Sequence, residues 1–202
     1  MTPIRRSSRI KALAFTVATA VLLSACVSFG SKAVPSLLVL TSNQSLGNGA
    51  QRAGTAKEAF VVQAPLVPQK LNTNRLPIYF GNSQLAYLKD AVWAEKPATL
   101  FQNLMIETLT ARSGRLVLSD AEAGSKAEQI LSGTLVEFGI DSGKMQAIAI
   151  FDAMRLSKGQ IIEKRRFEVR RPVTIINGQN AGGAMNEVAN ELASAISDWF
   201  AS

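Results

Sequence analysis

The sequence predicts an α+β fold, a mostly antiparallel sheet with two main helices packed on one face, behind a secretory leader. Three observations predict it. Leu100, Phe101, Leu104, Met105 and Leu109 recur at helical spacing after Pro97. Residues 129 to 171 break into three β-rich runs joined by short Gly-containing linkers. Met185, Val188, Ala189, Leu192, Ala195, Ile196, Trp199 and Phe200 fall on one stripe near the C-terminus, with Glu187, Glu191, Ser194 and Asp198 away from it. Strands, a helix, an antiparallel run and a terminal helix is the order expected when helices cover one face of a sheet.

The leader comes first. Arg5, Arg6, Arg9 and Lys11 form a positive start, followed by the apolar run Ala12 to Leu23 and then Leu23-Ser24-Ala25-Cys26. A positive n-region, a short h-region and small residues before the cut mark a secretory signal. The run is too short for a bilayer core, which needs roughly 20 residues. The tetrapeptide resembles the lipobox of bacterial lipoproteins. That resemblance implies a lipoprotein signal peptide over 1–25, lipidation of the Cys26 thiol, cleavage before it, and a lipidated tether over 26–36. Two or three acyl chains anchor firmly where one does not. Val27 stands where inner-membrane lipoproteins often carry Asp, so the expected address is the outer membrane, periplasmic face.

Residues 37–202 are expected to form a single α+β domain. Leu37 to Leu40 reads as a first strand. Residues 41–57, rich in Gly, Ser, Asn and Gln, carry no apolar period and read as a flexible loop. Ala59 to Val62 is a second strand, closed by Pro65 and Pro68. Leu76 to Phe80 and Gln84 to Asp90 flank Gly81-Asn82 as a hairpin. Pro97 suits the first position of a helix, where its missing N–H costs nothing, and Gly114 stops that helix. Arg115 to Leu118 is a short strand, and residues 119–127 read as a loop. Gln129 to Ile140, Lys144 to Leu156 and Gln160 to Arg171 form the meander. In its third strand Phe167 and Val169 share one face, while Lys164, Arg166, Glu168 and Arg170 share a wet one. The last helix runs from about Ala181 to Phe200.

Composition narrows the chemistry. Histidine is absent and Cys26 is the only cysteine. Ser-His-Asp and Cys-His nucleophiles and His- or Cys-rich zinc sites are therefore ruled out. The acids are scattered, with no spacing that singles out a catalytic pair. No enzyme activity, cofactor or metal is expected. The formal charge of +7 falls to +3 once the four leader cations are removed, so the high pI is no nucleic-acid footprint. The chain contains no G-x-x-x-x-G-K-[ST] phosphate loop.

The middle of the chain carries a set of marks. Leu71 to Leu109 holds Ile78-Tyr79, Tyr87, Trp93-Ala94-Glu95-Lys96-Pro97 and the Leu-rich helix. Ile130-Leu131-Ser132-Gly133-Thr134-Leu135 then leads into Phe138. This set is similar to the ABC-type transport auxiliary lipoproteins, the group that includes the paraquat-inducible C lipoprotein, over roughly residues 26 to 200. Leu37 and Leu38 stand where that group usually has a tyrosine, and Val92 where an arginine often precedes the tryptophan. The resemblance implies an outer-membrane-anchored accessory to an ABC transporter with a mammalian-cell-entry (MCE) substrate-binding protein. It would dock that component in lipid transport between membranes, with the MCE protein and the permease–ATPase complex as partners. Phospholipid is a further candidate ligand and a homo-oligomer a further option. The rival reading is an envelope structural or regulatory lipoprotein such as a peptidoglycan synthase activator, with a carboxylate hydrolase as a third class.

Four residues are singled out as candidates for partner binding. Trp93 is either an interface anchor or a core residue at a strand-to-helix junction. Tyr79 either contacts a partner or covers the sheet. Arg166 and Arg170 belong to the basic cluster Lys164, Arg165, Arg166, Arg170 and Arg171. That cluster either meets anionic head groups or an acidic partner, or is a solvated strand face balanced by Glu163 and Glu168. The stripe ending in Trp199-Phe200 is expected against the sheet, because its polar face carries acids and no Lys or Arg.

Overall fold

The computed structural model describes residues 35–202 apart from 45, 56, 82, 125 and 126. The expected signal peptide over 1–25, Cys26 and the expected tether up to residue 34 lie outside the described residues. The elements run β1 (Ser36–Leu38), β2 (Phe60–Val62), a 3-10 turn (Gln69–Leu71), β3 (Arg75–Phe80), β4 (Gln84–Trp93), α1 (Pro97–Ser113), β5 (Val117–Ser119), α2 (Asp120–Ala123), β6 (Gln129–Asp141), β7 (Gln146–Ser157), β8 (Gln160–Pro172) and α3 (Gly178–Ala201).

β6 is the spine of one curled eight-stranded sheet. On one side it pairs antiparallel with β7, which pairs antiparallel with β8. Its other side is shared. β2 runs parallel to residues 129–131, and β3 runs parallel at the far end, where Ile78 faces Ile140. β5 extends the sheet beyond β2, also in parallel. β4 returns antiparallel to β3, and β1 lies parallel to β4.

The sheet is therefore mixed, which corrects the expectation of a mostly antiparallel one. The physical reason lies in the short strands. β1, β2 and β5 have three residues each, too few for an alternation that sets a register. None of them has a hairpin partner next to it in sequence. Long connections, one of them containing α1, bring them alongside strands of the same direction, as parallel pairing requires.

A second correction concerns residues 119–127. They contain the one-turn helix α2, whose Ser119 side chain accepts from the Glu122 N–H while Glu122 accepts from the Ser119 N–H and hydroxyl. This is a capping box, and Ser119-Asp120-Ala121-Glu122 spells it.

The helices cover one face. Pro97 opens α1 and Gly114 closes it in the left-handed conformation at φ 67°. Asn177 caps α3 by accepting from the Asn180 N–H at 2.9 Å. The stripe of α3 is buried as expected, Phe200 included, with Ala195 partly buried at its edge. It packs on α1, β7 and β8. Ala147, Ala149 and Ala153 of β7 are buried and small enough to let α3 lie close. Between the helices and the sheet runs an aromatic chain. Trp93 meets Phe138 at 5.5 Å between ring centroids, Phe138 meets Phe101 at 6.3 Å, and Phe101 meets Phe151 at 5.6 Å. Each such ring contributes about 1.5–3 kcal/mol by burial. Trp199 lies edge-on to Phe167 at 5.6 Å, and its indole N–H donates to Glu163 Oε1 at 2.8 Å.

Gly133, the centre of the L-x-G-x-L run, is required sterically. A Cβ there would stand 2.4 Å from the Asp152 carbonyl oxygen and 2.6 Å from the Phe151 ring. Segment 41–44 is irregular but tied to α3. Thr41 N–H donates to Asn186 Oδ1 at 2.8 Å, Asn43 N–H to Asn190 Oδ1 at 2.7 Å, and Asn190 Nδ2 to the Thr41 carbonyl at 2.9 Å.

Candidate functional site

Alternation along the meander sends every second side chain to the face that carries no helix. Leu131 and Leu135 of β6 point to the helices. Val136 is then an extra residue, since Leu135 faces Phe151 while Glu137 faces Ile150. This bulge resets the phase, so Phe138 and Ile140 continue toward the core. Glu137, Gly139 and Asp141 turn to the open face. Bulges re-aim side chains in this way at functional sites. On β7 the open face holds Ile148, Ile150, Asp152 and Met154, and on β8 it holds Lys164, Arg166, Glu168 and Arg170.

The basic cluster is split between the two faces of β8 and largely dissolves into pairs. Arg166 binds Asp152 through two bonds, Nε to Oδ1 at 2.6 Å and Nη2 to Oδ2 at 2.7 Å. The Arg166 guanidinium holds the Asp152 carboxyl below its usual range, and the carboxylate in turn raises Arg166. Arg170 donates to Glu168 Oε1 at 2.6 Å and lies 3.7 Å from Asp141 Oδ2. Arg171 pairs with Glu191 of α3. Arg165 lies over the Phe167 ring at 5.0 Å. A surface of alternating sign remains in place of a cationic patch.

The open face deepens where β3, β4 and the 3-10 turn meet β6. A cleft of about 420 Å³ lies there, lined by Lys70, Tyr79, Glu137, Asp141, Leu85 and Ile148 among others. Lys70 Nζ donates to Glu137 Oε1 at 2.6 Å and sits 5.0 Å from the centre of the Tyr79 ring. Tyr87 fixes this turn by donating its hydroxyl to the Lys70 carbonyl at 3.2 Å. The Tyr79 backbone carbonyl accepts from the Ser142 N–H and hydroxyl at 3.0 and 2.8 Å. Gly139 leaves room for the Tyr79 ring, since a Cβ would come within 3.0 Å of it and 2.5 Å of the Pro77 carbonyl oxygen. Burial pushes the Tyr79 hydroxyl well above its ordinary range, and the nearby Glu137 carboxylate pushes it further. The phenol is therefore a neutral donor at physiological pH. The Tyr79 hydroxyl and the Glu137 carboxylate are buried beside each other, and hydrogen bonding between them contributes to that upward shift.

Of the four residues singled out in the sequence, the structure gathers Tyr79, Arg166 and Arg170 on the open face. Trp93 lies on the opposite side, 1% exposed in the core against Phe138. Its backbone N–H donates to Asn74 O at 2.7 Å. Sequence reasoning missed Lys70 and Glu137. Lys70 follows two prolines in an irregular stretch, and Glu137 stands as a lone acid in a β-rich run. Only the bulge at Val136, which no residue type announces, brings it to Tyr79.

A model of the ABC-type transport auxiliary lipoprotein component matches residues 41–197. The chain belongs to this family. The matched stretch begins where Thr41 meets α3 and ends within α3, so it spans the meander, α1 and the cleft. The family comprises auxiliary transport lipoproteins and is not a known enzyme class. Two solved structures share the fold. One is a Xanthomonas campestris protein of the family DUF330, 13% identical, TM-score 0.65, with 81% of this chain and 94% of that one covered. The other is an uncharacterized protein, 15% identical, TM-score 0.65, with 82% and 98% covered. No curated protein matches the sequence. Among the described residues no helix is long and apolar enough to cross a membrane.

Proposed function

We propose that this auxiliary lipoprotein is anchored in the outer membrane through Cys26 and serves an MCE-type ABC transport system. It docks the substrate-binding component during lipid transport between membranes and catalyses nothing itself. The observation that carries this reading is the family match across residues 41–197, joined to the Leu23-Ser24-Ala25-Cys26 leader. The open sheet face is the docking surface in this proposal. Its Arg166–Asp152 and Arg170–Glu168 pairs present donors and acceptors in alternation, which favours a polar partner surface and fixes its register.

The test is in-cell cross-linking of the full-length protein, capture in mild detergent and identification of bound proteins by mass spectrometry. Recovery of an MCE protein or its permease, cross-linked to the open face, is the expected result. Recovery of a peptidoglycan synthase, or of no transporter component, overturns it. Cys26→Ser should release the protein from the outer-membrane fraction, and retention there would refute the anchor.

A further inference from the structure

We propose that the open face ends in an anchor for a partner protein, an apolar row at the β7–β8 hairpin that takes a segment of apolar side chains interleaved with Asp or Glu. This anchor belongs to the docking face described above and rests on that reading. Cross-strand pairing builds the row. Ile130 of β6 faces Leu156 of β7, and Leu156 faces Ile161 of β8. A bulge then adds Ile162. Arg155 faces Glu163 while Leu156 faces Ile161, so Ile162 is an extra residue with no partner on β7. Glu163 turns to the helices, where the Trp199 indole donates to it. Alternation back from Lys164 sends Ile162 to the open face, and pairing with Leu156 sends Ile161 there too. Two adjacent isoleucines thus share one side of the sheet, 54% and 55% exposed. Ile130, Leu156 and Met154 are half-buried and continue the surface. Contiguous exposed apolar surface rimmed by polar groups marks an interaction site.

Charge names the partner. Lys164 faces Met154 across the ladder, and Lys158 stands in the exposed turn. Neither makes an ion pair among the described residues. The rim is therefore basic, and an acidic segment complements it. A bilayer fits less well. Beyond Lys164 the same face carries Asp152 and Glu168, whose carboxylates would meet the anionic head groups that the two lysines attract. A protein can match both signs. The row also lies far from where the chain enters the domain. Ser36 pairs with Ala91, against which Gly178 at the start of α3 packs, while Trp199 at its end reaches Glu163 beside the row. The 24 residues of α3 separate these ends by about 36 Å. The row is held in advance. Lys158 and Gly159 take φ of 49° and 79°, as a two-residue hairpin turn requires, and the Lys158 N–H donates to the Glu128 carbonyl at 2.8 Å. Such fixing lowers the cost of binding.

The test is photo-cross-linking in cells, with p-benzoylphenylalanine replacing Ile162 in the full-length protein and, in a second strain, Glu168. Adducts are identified by mass spectrometry down to the cross-linked peptide, with the urea midpoint of each variant as a folding control. The expected adduct from position 162 is with one protein, at a segment that interleaves Asp or Glu with apolar residues. The double variant Lys158→Glu/Lys164→Glu should cut its yield about tenfold, and Ile161→Asp should lower it as well. Lys144→Glu, in the turn at the other end of β7, should leave the yield unchanged. An adduct with a second copy of the chain or with phospholipid, an adduct at a segment without acids, a yield indifferent to the lysine reversals, or no adduct from position 162 overturns the proposal. A transporter component caught from position 168 but not from 162 keeps the function proposed above and overturns the row. An acidic segment of a protein outside any transporter, caught from 162, keeps the row and overturns that function.

Discussion

Lys70 and Glu137, 67 residues apart in sequence, meet through a 2.6 Å bond that joins the 3-10 turn to the bulged centre of β6. Both side chains are about a quarter exposed, so the pair is partly sheltered from water. Removing one partner of a sheltered pair leaves the other charge unsatisfied, whereas replacing both with apolar groups is far milder. Lys70→Met should lower stability by about 1–2 kcal/mol, read from the urea midpoint. The double variant Lys70→Met/Glu137→Leu should recover most of that loss.

Phe138 touches both Trp93 and Phe101. Phe138→Ala should cost about 3–5 kcal/mol and shift the emission of Trp93 to longer wavelength as water reaches its ring. Urea unfolding followed by tryptophan fluorescence reads both effects.

Gly133 faces the Phe151 ring and the Asp152 carbonyl at distances no Cβ tolerates. Gly133→Ala should destabilise by about 1–3 kcal/mol through overpacking of the β6–β7 ladder. Gly47, in open space, is the control, and Gly47→Ala should leave the thermal midpoint nearly unchanged.

Asn190 is buried and serves both Thr41 and Asn43. Asn190→Ala should cost about 1–2 kcal/mol and free segment 41–44 from α3. Limited proteolysis should then cut within residues 41–57 several times faster than in the unaltered protein.

Asp152 has its carboxyl lowered by the Arg166 bond. A group with a depressed folded pKa contributes stability above its unfolded value, near 3.9, and loses it as pH falls through the folded value. Asp152→Asn should therefore be slightly less stable than the unaltered protein at pH 7. The difference should narrow as pH falls below the unfolded value of about 3.9 and shrink in high salt, because the pair is exposed. Thermal midpoints at pH 7, 4 and 2.5 check the sign.

The long elements were legible because their periodicity is long. The α3 stripe and the β8 alternation around Phe167 and Val169 needed no knowledge of the rest of the chain. Strand direction was not legible, because three residues such as Phe60-Val61-Val62, buried throughout, carry no phase. α1 hid its surroundings in another way. Gln102 is buried and donates from one amide nitrogen to the Val62 carbonyl and to Asp120 Oδ1, at 2.9 Å each. A polar residue inside an apolar helix face thereby ties three elements together. The cleft was the least legible part. Tyr79 stood out as an aromatic, but its partners come from a turn and a bulge whose residues resemble their neighbours.

The three-residue pairing of β1 with Ala91 to Trp93 of β4 has a mechanical meaning. In the proposed arrangement, where Cys26 is held in a membrane, tension on the domain would enter at Ser36 and run along β1, loading this short parallel pair in shear. β1 is then the element that yields first. The next restraint along the chain is the Asn186–Asn190 clamp on Thr41 and Asn43, before any force reaches the aromatic core. The domain can thus give way by a few residues at its anchored end while the cleft and the open face keep their shape.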